Sequence, residues 1–379
     1  MIMAIQNHIK MDTPTTRALV FLLIAGGLCA IYRLFFGLGA ATNLNDLWPW
    51  GIWIGIDVLG GVALAAGGFV IAGAVYILNW KKYKIIVRPA LLNAFFGYVV
   101  AALSISLDIG RSFRIWHPMV MWQVNSIMFI VAIHVVLYTS TLATESSPML
   151  FEKLGWKRAL NIVNKIMVPV VLFGVLLSTL HQSSLGAVYL IAPSKLSPLW
   201  YSNALPSLFL ISAVMLALSM VSFETILSSR AFHHELPVEV LKGLARGTLI
   251  VGGGYLAIKL IDLARGPGIG LALNGSFLSN LWLLEMGVGV ALPLILLSFR
   301  SIRTDINRIF VVNILVILGV MLNRVNVGIF GVAEYATGAG GDYFPSFIEL
   351  MVTAAMVAFA VLGFKVCAKY LNLYPETLH

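Results

Sequence analysis

Residues 48–78 read WPWGIWIGIDVLGGVALAAGGFVIAGAVYIL, a run with a single charged side chain, Asp57. A helix needs roughly 20 apolar residues to cross the hydrocarbon layer of a bilayer, and this run exceeds that. Lipid offers the backbone no hydrogen-bond partner, so a continuous apolar run of this length reads as a transmembrane helix. A carboxylate at membrane depth is costly, which makes Asp57 a functional candidate by default.

The same pattern recurs on both sides of this run. Apolar stretches between polar breaks give spans at 17–38, 51–78, 85–107, 118–143, 160–181, 204–227, 244–263, 276–299, 306–323 and 347–370. The chain has 379 residues, 60% hydrophobic and 11% charged, and a mean hydropathy of +0.94. Those values exclude a water-soluble domain. The sequence predicts an all-α integral membrane protein, a single membrane domain of about ten transmembrane helices. Asp108-Ile-Gly-Arg111 closes span three much as Asp262-Leu-Ala-Arg265 closes span seven, and Trp50 and Trp200 precede spans two and six. This faint pseudo-repeat suggests two four-helix bundles, 50–181 and 200–324, with one flanking helix at each end, 17–38 and 347–370.

Of the 25 Lys and Arg residues, 18 fall on the side that carries both chain ends. By the positive-inside rule both termini are cytoplasmic. Topology thus accounts for the net charge of +9. The cations lie in short loops, without the basic face or aromatic motif that nucleic acid requires, so no nucleic-acid partner is expected. The first apolar run lacks a signal-peptide cleavage site and is read as a retained span. Cys29 and Cys367 have neither C-x-x-C nor histidine-ligand spacing, so this chain cannot hold an iron–sulfur cluster alone. The opposite loops, 39–50, 182–203 and 324–346, are rich in Trp and Tyr. They form either an interfacial aromatic belt or a face for a partner.

Projected onto that orientation, Asp57, Asp108, Arg111, His117, Gln123 and His181 reach a similar depth toward the non-cytoplasmic side, on four consecutive spans. Trp50, Trp53, Trp116 and Trp122 belong to the same layer. Tryptophans stack on a flat ring, and His181 and Asp57 exchange protons with ring oxygens, so the layer suits an aromatic ring with two carbonyl or hydroxyl oxygens. Deeper, His134 and Glu145 mark a proton route toward the cytoplasm. Plainer readings stand beside these: Asp108 with Arg111 as a helix-end ion pair, His117 as a loop residue before Pro118, and Glu285, Lys259 and Arg324 as structural charges in the second bundle. His117 and His181 as ligands of a b-type haem, and a secondary transporter with interrupted helices, are the competing functional classes.

The segments WPWGIWIGIDVLGGVALAAGGF (48–69), LSTLHQSSLGAVYLIAPSKLSPLWYS (177–202), MLNRVNVG (321–328) and YFPSFIEL (343–350) resemble the NrfD-like, polysulfide-reductase-type membrane subunits. The resemblance extends over essentially the whole chain and is greatest to the membrane subunits of periplasm-facing nickel–iron hydrogenases. It implies a multi-pass subunit of the bacterial inner membrane without haem or metal and without stand-alone activity. Such a subunit passes electrons between a periplasmic ferredoxin-like iron–sulfur protein, fed by hydrogenase large and small subunits, and menaquinone or ubiquinone. The resemblance places the quinone in the first bundle near the periplasmic face. It carries roles most directly onto Trp53, Asp57, His181 and Gln182, which lie in the matched segments. Proton translocation is the further expectation. Related subunits serve polysulfide, nitrite and quinol–cytochrome complexes.

Overall fold

The computed structural model describes residues 9–232, 234–266 and 268–374. Among them, ten helices are long and apolar enough to span a membrane: α1 (Pro14–Phe36), α2 (Trp53–Ile77), α3 (Lys81–Asp108), α4 (Ile127–Leu154), α5 (Lys157–Ile191), α6 (Leu205–Phe232), α7 (Val238–Arg265), α8 (Phe277–Ser298), α9 (Ile306–Gly338) and α10 (Phe347–Tyr370). Ten crossings return the chain to the side on which it starts. Lys369 Nζ donates to the Ile9 carbonyl at 2.8 Å and Lys365 Nζ to Thr16 Oγ1 at 2.6 Å, so the two ends meet.

Helix contacts close two rings. In the first, α2 packs on α3, α3 on α4, α4 on α5, and α5 back on α2. In the second, α6, α7, α8 and α9 close in the same way. α6 and α9 lean on α2 and so join the rings. The flanking helices pair with each other and rest on α3. Small residues permit the tightest approaches: a side chain at Gly319 would strike the backbone of Gly289, and one at Gly26 the backbone of Met351.

Several boundaries differ from the sequence reading, including the end of the fourth span, at Leu154 rather than 143. The fourth span begins at Ile127 rather than 118, because Pro118 opens only a short turn, His117–Val120, and Ser126 is the helix cap, its side chain accepting from Phe129 N at 3.4 Å. Residues 109–126 therefore form an irregular strap. The fifth span runs to Ile191, ten residues past His181, which places that histidine inside the bundle rather than at its exit. The ninth runs on past Arg324 to Gly338. α10 starts and stops where its apolar run does, fixed by a capping box between Ser346 and Glu349.

Two helices carry π-helical stretches, α2 at Trp53–Val58 and Gly73–Ile77 and α8 at Leu284–Ala291. The first and the last of these hold a buried carboxylate, Asp57 and Glu285. Widened turns of this kind recur at functional sites.

Candidate functional site

A cleft of about 590 Å³ opens in the first ring on the side opposite the chain ends. Every helix of the ring contributes: Ile54, Val58 and Leu59 from α2, Ile105 and Asp108 from α3, Phe129, Val131 and Ala132 from α4, Leu185, Val188 and Tyr189 from α5. The strap 109–126 covers it with His117, Pro118, Met121 and Gln123, and Trp50 stands at its edge. The wall is apolar, with a few polar groups converging on it, the usual composition of a site for a flat organic ligand.

Local rules explain the polar groups. Asp108 is the last residue of α3, where helix carbonyls lack intrahelical donors. Arg33, reaching from α1, supplies them: its Nε donates to Leu107 O at 2.5 Å and its Nη2 to Ile109 O at 2.6 Å. The residue between those carbonyls is thereby held toward the cleft, and its Oδ1 is buried with no protein partner. Trp50 and Tyr189 meet edge to face at 5.8 Å, and the Tyr189 hydroxyl also lacks a partner.

Beneath the cleft the first ring holds a polar ladder. On α4, His134, Tyr138, Thr141 and Glu145 share one buried face at helical spacing, about 16 Å from end to end at 1.5 Å per residue. α5 faces them with Gly174, Ser178, His181 and Gln182. The rings of His134 and His181 lie 6.1 Å apart, and Tyr98 of α3 sits 5.6 Å from His181 and 4.6 Å from Tyr138. Tyr98 and Tyr138 both approach Ser178. Yet both nitrogens of His181, His134 Nδ1, the two tyrosine hydroxyls, Ser178 Oγ and Glu145 Oε2 are buried without a well-formed hydrogen bond. Buried polar atoms are normally paired, so a contiguous set without partners calls for an explanation. At its far end Glu145 lines a second cavity, beside Tyr76, Lys81, Lys84, Arg88 and Glu152.

The candidate residues from the sequence separate into four groups. Trp50, Asp108, His117 and Gln123 come together around the cleft. His181, His134 and Glu145 belong to the ladder below it, while Gln182 is tied to the Val62 carbonyl at 3.0 Å. Asp57 and Trp53 turn away from the cleft: Asp57 accepts from Thr353 of α10 at 2.9 Å and Ser104 at 3.3 Å, and Trp53 Nε1 donates to Glu349 O at 3.2 Å. Each is one position from Ile54 or Val58, which turns it roughly 100° around α2, away from the cleft and toward α10. Arg111, Trp116 and Trp122 are exposed on the strap; Arg111 makes no ion pair with Asp108 among the described residues. Tyr98, Tyr138, Ser178 and Tyr189 are absent from the sequence-derived candidates. Mid-span tyrosines spaced to face histidines were the signal available.

The family profile described as Polysulphide reductase, NrfD matches residues 40–334, most of the chain. The chain belongs to the NrfD family. Similarity extends beyond the profile. A protein of Nitratidesulfovibrio vulgaris is 38% identical over 96% of this chain and 95% of its own length. The probable Ni/Fe-hydrogenase 2 b-type cytochrome subunit of Escherichia coli is 33% identical over 93% of this chain and 91% of its own. The menaquinone reductase integral membrane subunit of N. vulgaris is 28% identical over 95% and 91%. This NrfD protein is therefore a multi-pass membrane subunit of the type found in oxidoreductase complexes.

The description of the E. coli relative raises haem, which in a b-type site needs two imidazoles on opposite faces of a porphyrin. His134 and His181 do not fit that demand. Their rings meet edge to face, Tyr98 packs on His181, and α4 closes on α5 where any side chain at Gly174 would meet Glu145, Thr141 and Tyr138. Among the described residues of this NrfD protein, no three His, Cys, Asp or Glu side chains come together as metal ligands.

Proposed function

We propose that this chain is the quinone-reactive subunit of a periplasm-facing hydrogen:quinone oxidoreductase. The observation that carries the reading is the apolar cleft shared by all four helices of the first ring, with Asp108, His117 and Gln123 on its wall. Electrons arrive from a periplasmic ferredoxin-like iron–sulfur subunit, itself served by hydrogenase large and small subunits, and the quinone is a menaquinone or ubiquinone of the inner membrane. In this reading both chain ends face the cytoplasm, which the distribution of Lys and Arg supports. Similarity to a hydrogenase-associated subunit and to a menaquinone reductase subunit supports the assignment.

Reduction of the ring takes two electrons and two protons, and each ring oxygen gains an O–H bond. Trp50 and Tyr189 bound the ring plane. Asp108, His117 and Gln123 orient the oxygens and exchange protons with them. His181 and His134 stand under the cleft, and Tyr98, Tyr138 and Ser178 continue the ladder to Glu145 at the cytoplasmic cavity. Protons moving along it from the cytoplasm to a quinone reduced with periplasmic electrons make turnover electrogenic. Asp57 acts from α2's other face, coupling the first ring to α10 through Thr353.

The test is hydrogen-dependent quinone reduction by the intact purified complex, compared with hydrogen oxidation by an artificial acceptor. Asp108→Asn is expected to slow quinone reduction about 100-fold, the scale of a lost proton-transfer group, and to leave the artificial-acceptor rate unchanged. Equal quinone rates in wild type and variant would remove the cleft as the site. A complete complex that oxidises no hydrogen would move the chain to another NrfD-type oxidoreductase.

A further inference from the structure

A separate cleft of about 630 Å³ lies on the side that carries both chain ends, between the start of α7 and the loop joining α8 to α9. Its lining is Glu239, Lys242, Arg246, Arg300, Arg303 and Thr304. Four cations thus face one carboxylate, and that carboxylate is already engaged, with Lys242 Nζ at 2.7 Å from Glu239 Oε1. The nearby loop acid, Asp305, accepts from the backbone nitrogens of Asn307 and Arg308 as the cap of α9 and pairs with the Arg308 side chain at 3.8 Å. Among the described residues no ion pair engages Arg246, Arg300 or Arg303. The Nε of Arg303 is sealed from solvent with no partner.

The positive-inside rule explains why cations lie on this side of the membrane. It does not explain why three arginines share one cleft with a single acid, Glu239, that Lys242 already engages, where like charges repel. Guanidinium groups present planar forks of donors that match phosphate oxygens two at a time, which ammonium groups do not. The surface beside the cleft is apolar and exposed: Ile295 is 57% accessible and Phe299 56%. A phosphate seated among the arginines would have hydrocarbon-facing side chains within one turn of α8.

We infer that this cleft binds a phosphate group through Arg246, Arg300 and Arg303. The group is either the headgroup phosphate of an anionic phospholipid, its acyl chains lying along Ile295 and Phe299, or free phosphate. The inference does not depend on the quinone reading.

The experiment uses the full chain in two arms. In the first, protein released from membranes is analysed by native mass spectrometry for retained phospholipid and then reconstituted in nanodiscs of phosphatidylcholine with or without phosphatidylglycerol. In the second, inorganic phosphate is titrated while thermal unfolding is followed. For a lipid site, wild type retains phosphatidylglycerol, and R300Q/R303Q weakens that retention about 30-fold, from roughly a fivefold loss per cation near a membrane surface. The exposed R246Q, the variant least able to disturb folding, weakens it about fivefold. For a free-phosphate site, phosphate raises the unfolding temperature of wild type but not of R246Q or R300Q/R303Q, and no lipid is retained selectively. If R246Q matches wild type in both arms, the inference is overturned, whatever the double variant does.

Discussion

The Glu285 carboxylate of the second ring and the polar ladder of the first are held in opposite ways. In the second ring Glu285 accepts from Trp200 Nε1 at 2.9 Å, Asn326 Nδ2 at 2.7 Å and Asn323 Nδ2 at 2.8 Å. Arg324 donates to Asn323 Oδ1, Phe209 O and Ser212 Oγ and lies 3.8 Å above the Phe209 ring. Lys259 bonds to Leu199 O. Here the charges are held by amide, indole and hydroxyl groups. In the first ring the ladder from His181 to Glu145 leaves seven polar atoms without partners. A satisfied network fixes one structure; an unsatisfied one can accept and release protons without first breaking a bond that holds the fold. The unsatisfied ladder lies beneath the cleft; the second ring has unpartnered atoms of its own at Glu224, Trp282 and Arg324 Nε, away from the Glu285 carboxylate.

Four measurements break or sharpen that contrast. Glu285→Ala has the largest expected effect: it strips three donors of their acceptor and removes the carboxylate nearest Arg324, a loss of about 3–5 kcal/mol in denaturant unfolding in mixed micelles. An unchanged midpoint would end the claim that the second ring is the structural one. Next, His181→Phe keeps much of the volume and removes two nitrogens that bond to nothing, so stability holds within about 1 kcal/mol. Quinone reduction is expected to fall about 100-fold, and a variant that is destabilised yet active would reverse the assignment of the rings. Trp200→Phe deletes one hydrogen bond to Glu285 and costs about 1–3 kcal/mol by the same unfolding assay. Smallest in stability is Tyr138→Phe, within about 0.5 kcal/mol. Its signature is slower proton uptake from the cytoplasmic side in vesicles, and normal uptake would take the tyrosine out of the ladder.

The helices were legible because apolar length is set by bilayer thickness alone, and α10 matches its run end to end. Span four was misplaced because Met119, Val120, Met121 and Trp122 are apolar without belonging to the spanning helix, and hydropathy does not separate an apolar strap from a span. Asp108, His117, Gln123 and Trp50 were found as costly or amphipathic groups at one depth. Depth says nothing of azimuth, so Asp57 and Trp53 joined the same layer although they face α10. Tyr98 and Tyr138 were lost because a tyrosine inside a span reads as an aromatic, and only the fold brings it to His181. The four segments that carry the family resemblance meet around α2. Trp53 touches Glu349, Gln182 bonds to Val62, and a side chain at Gly328 would strike Gly55.

The pairing of α1 with α10 has a consequence for the order of synthesis. α1 leaves the ribosome first, yet the surface against Gly26 comes from Met351 and Ala355, near the end of the chain. The carbonyls that receive Arg33 arrive 74 and 76 residues after it. Until then the Arg33 guanidinium lacks those acceptors. A chain cut before α10 leaves α1 without the helix it packs against most extensively, and so with an uncovered face turned to lipid.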